Sequence, residues 1–441
     1  MVLDEEFLHL SKRDLVRLVM EFRETVAKLE AKVDELQKRL LAYENANTPP
    51  ALSKRKRKPR EPTGNPRGAP KGHEGTTREN PVPDKTVEVA ALENCPNCHS
   101  KLAAPHYIEP RYVEEIPRPQ PVTVTLFRVP HQTCACCGLE IVALHPDCPE
   151  SGRFGYNTQT TVALLKYDGR LPHRKIVESL KRDYELGITP ATVLDINNRV
   201  KNKVLPQYLR IIARIRKSGF VHIDETMLRV SGAKYWVWVF TTEKDTLIVI
   251  RHSRGMNVLT EILGKKYKGI IICDGHKSYS NYTNNIQRCW AHLLREVKHL
   301  SENIAQAIPL YKQLQALYNR LVERYRELLT EQQRYHLWRN ANKRLQQLLG
   351  EYSPIKSLEK MLGKIRNGIK HWFTFILHPE IEPTNNRAER ALRETVVQRK
   401  IFGCLRNEKG TSVMETLMSL IATWKQRNLN PKTELLHHLR S

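Results

Sequence analysis

Two aspartates, Asp224 and Asp274, have the residue type and the placement that metal-dependent chemistry on phosphate groups requires. Asp224 follows the apolar run at 220–223, and Asp274 follows the apolar run at 270–273. Short apolar runs of this kind predict buried strands. The segment from 219 to 274 predicts three antiparallel strands, then a helix, then a fourth strand. If the first and fourth strands lie side by side and parallel, the two carboxylates meet.

This strand order is that of the ribonuclease-H-like α/β fold, and it predicts a catalytic domain formed by 216–302 and 373–405. Paired carboxylates can hold two Mg²⁺ or Mn²⁺ ions about 3.5–4 Å apart, because these hard cations prefer oxygen ligands. One ion would activate water or a 3′-hydroxyl, and the other would stabilise the leaving oxygen. A lone aspartate after a strand is more often a turn residue, so the hypothesis depends on the matched placement of the pair.

A third carboxylate is needed to complete such a site, and the residues alone leave its identity open. Glu389 is the best candidate, because it falls in the first turns of a helix that 384–386 can cap. Three arginines would surround it with positive charge suited to a phosphate backbone: Arg387, Arg390 and Arg393. Glu389 could instead be a surface residue paired with Arg393. Glu394 and Glu408 are further candidates for the third acid.

The chain has nine cysteines, and four of them form two CxxC pairs within 90–150. In a cytosolic protein, cysteines are free thiols or metal ligands rather than disulfides. The four thiolates that would form a closed, structural Zn²⁺ site are Cys95, Cys98, Cys134 and Cys137. The β-like run at 122–127 predicts a hairpin that brings the two pairs together. Cysteines scattered through a core are the alternative.

The formal charge of +25, from 72 Lys and Arg against 47 Asp and Glu, favours a polyanionic partner such as double-stranded DNA. Residues 45–89 form a linker rich in proline and glycine that is either a solvated tether or a phosphate-binding segment. Its candidate DNA-binding residues are Lys54, Arg55, Lys56, Arg57, Lys58, Arg60 and Arg67. No apolar stretch is long enough to span a membrane, and the acidic start lacks a signal-peptide core. We therefore expect a cytoplasmic, nucleoid-associated protein.

The elements that position these residues begin with a heptad repeat over 12–43, within an N-terminal segment 1–44. Its apolar positions are Leu15, Val19, Phe22, Val26, Leu29, Val33, Leu36 and Leu40. Valine and leucine alternate in the way that favours a parallel two-stranded coiled coil. We expect a homodimer or higher oligomer, the alternative being a helix packed on its own chain.

Residues 151–215 predict a helical domain. One helix is expected over 173–184, a turn over 185–187, and a second helix from Pro190 to Val200. This outline fits a DNA-binding helix-turn-helix and an ordinary helical hairpin equally well. Residues 303–372 predict a helical insertion that contacts DNA, shields the strand break or braces the core. A C-terminal helical segment follows at 406–441.

The chain resembles the DDE transposases of the insertion sequence 66 family over nearly its whole length, in the order zipper, basic linker, zinc module, catalytic core and C-terminal helix. Several motifs between 224 and 403 carry the resemblance. They are Asp224-Glu225-Thr226, Asp274-Gly275, Cys289-Trp290-Ala291-His292, Asn385-Asn386-Arg387-Ala388-Glu389-Arg390 and Ile401-Phe402-Gly403. The resemblance implies that Asp224, Asp274 and Glu389 are the catalytic acids. It implies cleavage at the terminal inverted repeats of an element and joining to target DNA, with element-encoded accessory proteins as further candidate partners. It also implies a structural role for Cys289 and His292.

Two other classes of function share some of these features. A non-enzymatic DNA-binding regulator would use the zipper, the zinc module and the helical domain, and would show no metal-dependent nicking. A ribonuclease-H-like nuclease would use the same acids. The intact acids argue against the first class, and the dimerising and DNA-anchoring N-terminal segments argue against the second.

Overall fold

The structure is a computed structural model that describes residues 11–43, 79–143 and 145–441. It divides into two compact units, Met1–Glu115 and Ile116–Ser441. The seven basic residues predicted in the linker lie outside the described residues. Among the residues that are described, no helix is long and apolar enough to span a lipid bilayer.

The first unit contains helix α1 (Lys12–Tyr43), whose bounds are those predicted from the heptad repeat. Its apolar seam is exposed along the described side chains, with Phe22 71% and Leu29 57% accessible. The side chains of Leu15, Leu36 and Leu40 lie outside the described part. The sequence therefore forms the predicted helix, and its apolar side chains are available to a partner.

The second unit begins with a segment that is neither helix nor strand, followed by a small antiparallel hairpin of β1 (His131–Thr133) and β2 (Glu140–Val142). The strand expected over 122–127 is not formed, and that prediction is wrong. Prolines at 117, 119, 121 and 130 flank or precede the run, and proline cannot donate a ladder hydrogen bond. Val124 and Leu126 are consequently exposed.

Three helices follow: α2 (Tyr156–Tyr167), α3 (His173–Tyr184) and α4 (Pro190–Lys217). Helix α3 and the start of α4 are as predicted, and the Thr189 side chain caps α4 by accepting from the Thr192 N–H. The predicted end of α4 at Val200 is wrong. Apolar residues continue at helical spacing through Val204, Tyr208, Ile211 and Ile215, and their burial against the core carries the helix on to Lys217.

A five-stranded mixed sheet forms the centre of the second unit. Its strands are β3 (Phe220–Val230), β4 (Ala233–Thr241), β5 (Thr246–Arg251), β6 (Ile270–Cys273) and β7 (Ile286–Arg288). The spatial order is β5-β4-β3-β6-β7, with β3, β4 and β5 antiparallel and β3, β6 and β7 parallel. We predicted that the first and fourth strands in chain order, β3 and β6, are parallel neighbours, and the structure confirms this pairing.

The remaining helices surround this sheet. They are α5 (Met256–Leu263), α6 (Lys277–Tyr282), α7 (Trp290–Ser301), α8 (Ala307–Arg324), α9 (Glu331–Tyr352), α10 (Glu359–Asn367), α11 (Thr374–Leu377), α12 (Asn386–Phe402), α13 (Glu408–Gln426) and α14 (Pro431–Arg440). The predicted insertion at 303–372 is helical, as expected.

The short strand β6 is buried on both faces. Ile271 and Cys273 pack in one apolar cluster with α4 and α13, whereas Ile270 and Ile272 pack in a second cluster with α7 and the inserted helices. Side chains alternate between the two faces of a strand, which explains this division. The helical insertion thus encloses the face of the sheet from which Asp274 emerges.

Helix α13 covers the open edge of the sheet with side-chain acceptors. Thr423, Ser419 and Glu415 accept from the backbone N–H groups of Thr246, Ile248 and Ile250, at 3.0, 2.8 and 2.7 Å. Every fourth residue of a helix advances about 6 Å, close to the advance of every second residue of a strand. The segment at 406–441 therefore belongs to the same core as the sheet, and it protects an edge that could otherwise pair with another chain.

We expect Ser419→Ala to lower the free energy of unfolding by about 1–3 kcal/mol, because it leaves the buried Ile248 N–H without an acceptor. Chemical denaturation measures this loss. Ser412→Ala on the same helix is the matched control, since no strand N–H depends on Ser412 in the described hydrogen bonds. Equal stability of the two variants would contradict the edge-covering role.

Candidate active site

The parallel register of β3 and β6 brings the two aspartates to the same level. Phe220, Val221 and His222 pair with Ile270, Ile271 and Ile272, a constant offset of 50 residues. Asp224 and Asp274 are separated by the same offset, so they emerge side by side where the parallel pairing stops.

The sequence led us to expect Asp224 at the end of its strand, and this expectation is wrong. Strand β3 continues to Val230, because it remains paired with β4 around a two-residue turn at Ser231 and Gly232. Both turn residues have positive φ, 49° and 80°, which suits the twist of a tight hairpin. The backbone on both sides of Asp224 is therefore paired in the sheet.

Negative charge is concentrated around Asp224. Burial, followed by the neighbouring charges of Glu225, Asp274 and Glu389, raises the pKa of Asp224 to about 8. One oxygen of Asp224 accepts from the Glu225 N–H at 2.9 Å, and one oxygen of Asp274 accepts from the His276 N–H at 2.8 Å. Carboxylates held this close repel each other, and a bound cation relieves the repulsion.

Asn385, which precedes α12, fixes the start of the helix that carries Glu389. Its side chain donates to the Ile223 carbonyl at 2.7 Å, and its amide oxygen lies 3.3 Å from Nδ1 of His222. Its backbone N–H donates to Sγ of Cys289 at 3.1 Å. Asn385 is fully buried, and it connects α12 to β3 at the residue before Asp224.

The sequence suggested Asn385 as a possible helix cap and as the first residue of the motif that contains Glu389. The side chain occupies the capping position but makes no capping hydrogen bond. Its partners come from segments more than 90 residues away, so no local pattern indicated this role.

Glu389 lies in the first turn of α12 and is 29% exposed. Its Oε1 is 3.4 Å from Nδ1 of His292, and its Oε2 is 3.7 Å from the Arg295 guanidinium. These neighbours differ from the surface pairing with Arg393 that we considered as an alternative. Glu389 faces α7, beside the residues that follow β7.

The other two candidates for the third acid are engaged elsewhere. Glu394 accepts two hydrogen bonds from Arg170, at 2.7 and 2.6 Å. Glu408 accepts from the Tyr235 hydroxyl at 3.1 Å. Neither contributes to the negative charge around Asp224, whereas Glu389 does.

Glu225 is a buried acid that the sequence placed in a motif with Asp224 but did not suggest as a site residue. Arg254 donates to it at 2.8 Å, the Tyr279 hydroxyl also donates to it, and its side chain is fully enclosed. The Arg254 guanidinium stacks over Trp236, 4.6 Å from the ring centre. Glu225 thereby connects β3 to the segments before α5 and within α6, which supports the strand that carries Asp224.

A cavity of about 250 Å³ lies beside the second aspartate. Its wall includes Asp274, Cys289, His292 and Lys364. Cys289 is the N-cap residue of α7, and His292 lies in the first turn of that helix. The CxxH motif therefore faces the same space as Asp274.

The three predicted DNA-binding arginines of α12 differ in their surroundings. Arg387 donates to Glu382 at 2.8 Å and to the Thr242 carbonyl at 3.3 Å, so it already has partners within the protein. Arg390 and Arg393 are exposed. These two are the better placed to contact a phosphate backbone.

Each CxxC pair has a tight turn with the same hydrogen bonds. In the first unit, the His99 N–H donates to the Cys95 carbonyl, and the Cys95 N–H donates to the Ser100 carbonyl. In the second unit, Gly138 and Leu139 make the corresponding bonds with Cys134. Hydrogen bonding lowers the pKa of Cys98 to about 7, mainly through Ser100, and lowers the pKa of Cys134, mainly through the Cys137 backbone. Both turns thus favour the thiolate, the form that binds metal.

Comparison with protein-family models matches residues 151–413, more than half of the chain, to the model described as "Transposase IS66 family". No curated protein matches the chain. The matched region begins just before α2 and includes Asp224, Asp274, the CxxH motif and Glu389.

Proposed function

Because this chain belongs to the IS66 family of transposases, we propose that it cuts DNA at the ends of an insertion sequence and joins them to target DNA. The family match confirms the resemblance seen in the sequence. We assign Asp224, Asp274 and Glu389 as the catalytic acids, on a ribonuclease-H-like core. The observation that carries the assignment of the two aspartates is the constant offset of 50 residues between β3 and β6, which sets both at one level. Glu389 is assigned from the family motif and from its charge beside Asp224.

The donor set of this site suits hard divalent cations. It consists of carboxylate oxygens, which Mg²⁺ and Mn²⁺ prefer. Burial, together with the neighbouring carboxylates, raises the pKa of Asp224, and a bound cation would offset both effects. Asp224, Asp274 and Glu389 would hold two such ions. When bound, these ions lower the pKa of a water or 3′-hydroxyl and stabilise negative charge on the leaving oxygen.

The residues of the chain supply position and charge for two successive displacements. In the first, water attacks a phosphodiester at the element end, a phosphorus–oxygen bond breaks, and a 3′-hydroxyl is freed. In the second, that hydroxyl attacks a target phosphodiester, so one such bond forms as another breaks. Asn385 and Glu225 keep the acids in place, while exposed Arg390 and Arg393 bind the DNA backbone.

The N-terminal segments would bind DNA and hold two copies of the protein together. We propose that the linker residues from Lys54 to Arg67 bind phosphates, that α3 and α4 contact DNA, and that the four cysteines of the CxxC pairs bind structural Zn²⁺. The thiolate-favouring turns at Cys95 and Cys134 support the zinc assignment. The net charge of +25 supports DNA as the partner.

We expect α1 to form a parallel dimer through its apolar seam. The double substitution Val19→Asp and Val26→Asp places charges at two seam positions and should shift the protein to a monomer in light scattering after size exclusion. Ala27→Asp, outside the seam on the same helix, should leave the dimer intact. An unchanged mass for the seam variant would show that α1 does not hold the dimer.

The proposed activity is tested with DNA ends taken from the sequences that flank the coding region. Incubation with Mg²⁺ or Mn²⁺ should nick the labelled end and join it to a target plasmid, whereas addition of EDTA should prevent both steps. Binding without any metal-dependent nicking would favour a DNA-binding regulator. Nicking at any sequence without joining would favour a nuclease.

A further inference from the structure

Three side chains of different chemistry lie close together at the starts of two helices, and two of them, Cys289 and His292, also line the cavity beside Asp274. The thiol of Cys289, a ring nitrogen of His292 and a carboxylate oxygen of Glu389 all lie within 4.8 Å of one another. Cys289 and His292 come from the start of α7, and Glu389 comes from the start of α12. The hydrogen bond from the Asn385 N–H to Cys289 holds the two helix starts together.

Two polar atoms in this group are buried without a hydrogen-bond partner. They are Nδ1 of His292 and Oε1 of Glu389, which lie 3.4 Å apart without hydrogen-bond geometry. Buried polar atoms in proteins nearly always have a partner, so each such atom needs an explanation. A cation between the imidazole and the carboxylate would satisfy both.

The ligand atoms of Cys289, His292 and Glu389 indicate which class of cation the site would bind. Thiolate and imidazole ligands suit Zn²⁺ and similar ions, whereas Mg²⁺ prefers oxygen ligands alone. Three protein ligands with a fourth position left for water are typical of an open zinc site. The adjoining cavity of about 250 Å³ has room for such a water. This chemistry differs from that of the four-cysteine module, where every ligand is sulfur.

We propose that Cys289, His292 and Glu389 bind one Zn²⁺-class cation, and that its binding withdraws Glu389 from Asp224 and Asp274 and so inhibits strand transfer. The site itself stands on the geometry of the three residues. The inhibition rests on the proposed function, since it requires Glu389 to be a catalytic acid. Glu389 then belongs to two competing metal sites, one with sulfur and nitrogen ligands and one with oxygen ligands.

Binding is tested on the full-length protein with ¹¹³Cd²⁺ as the probe. Cadmium resonances shift strongly with the number of sulfur ligands, so a one-thiolate site is distinct from a four-thiolate site. We expect a one-thiolate resonance in the wild-type protein, and its loss in Cys289→Ser and in His292→Gln. Serine retains an acceptor for the Asn385 N–H. Cys404→Ser, which removes an exposed cysteine, should keep the resonance.

The cadmium spectrum of the wild-type protein tests whether the one-thiolate site exists, even if a variant fails to fold. Absence of a one-thiolate resonance in wild-type protein would overturn the proposal. Its persistence in a folded Cys289→Ser or His292→Gln variant would do the same. A hydrogen-bonded role for His292 without metal predicts that absence.

The inhibition is tested by titrating Zn²⁺ into strand-transfer reactions that contain Mg²⁺. At a Zn²⁺ concentration about ten times its dissociation constant, wild-type activity should fall about tenfold, since about one molecule in ten then keeps Glu389 free. Cys289→Ser should lose much less of its own zinc-free activity. Equal inhibition of both proteins would overturn the competition. If no protein shows strand transfer, the proposed function fails, while the cadmium result still decides the site.

Discussion

Asp224→Asn is expected to abolish strand transfer, with a fall in rate of at least about 10³-fold. The substitution keeps the shape of the side chain but removes the charge that binds metal, and bound metal contributes several kcal/mol to stabilisation of the transition state. Gel assays of strand transfer on labelled element ends measure the loss. Glu243→Gln, which neutralises an exposed acid in the turn between β4 and β5, is the control and should keep full activity.

The same substitution should raise the midpoint of thermal unfolding in the metal-free protein. Asp224 is crowded by Glu225, Asp274 and Glu389, and asparagine removes one member of this repelling group. A variant that is more stable and inactive indicates a site arranged for a cation. A variant that is less stable and still active would remove Asp224 from the catalytic acids.

Asn385→Ala is expected to reduce strand transfer by about 10–100-fold, the effect usual for residues that hold a metal ligand in place. It should also lower the free energy of unfolding by about 1–3 kcal/mol, because the Ile223 carbonyl and His222 lose their buried partner. Kinetics with varied Mg²⁺ should show a raised metal requirement, which simple loss of stability would not produce.

The neighbouring Asn386→Ala provides a matched control. Asn386 is exposed and begins the same helix, so its removal leaves the contacts with β3 intact. Equal activity and equal metal requirement in the two variants would show that Asn385 does not position Glu389.

The parts of this fold that the sequence predicted well are those set by local periodicity. The heptad repeat predicted α1 to the residue, and the apolar runs predicted the strands that carry Asp224 and Asp274. Parallel pairing of those strands followed from the order of elements, and the structure confirms it. Local pattern was sufficient here because hydrophobic spacing alone specifies such elements.

The parts that the sequence did not predict depend on contacts between distant segments. The sequence of α13 is that of an ordinary helix. Its Glu415, Ser419 and Thr423 side chains nevertheless accept hydrogen bonds from backbone N–H groups of β5, some 165 to 177 residues earlier. The apolar run at 122–127 has strand-like composition but lacks a pairing partner. Helix α4 continues beyond Val200 because its later apolar residues, which keep helical spacing, are buried against the core.

The candidate site also contains residues that the local sequence pattern predicted and residues that depend on contacts between distant segments. Strand order and metal chemistry pointed to the two aspartates, whereas Glu389 needed the family resemblance, because many glutamates follow Asp274. The structure adds the connection through Asn385 and the enclosure of Glu225. Both residues belong to motifs in the sequence, but their partners come from distant segments. It also brings Glu389 to Cys289 and His292, which the sequence treated as a separate structural element.

Glu389 is the member of the trio whose role depends most on its three-dimensional surroundings, so it provides the most direct test. The measurement is joining of a labelled element end to target DNA by Glu389→Gln, beside Arg393→Gln on the same helix and with DNA binding checked in parallel. We predict that Glu389→Gln binds the element end but forms no joined product, while Arg393→Gln forms product with weakened DNA binding. Joined product at the wild-type rate from Glu389→Gln would contradict the assignment of one site to Asp224, Asp274 and Glu389.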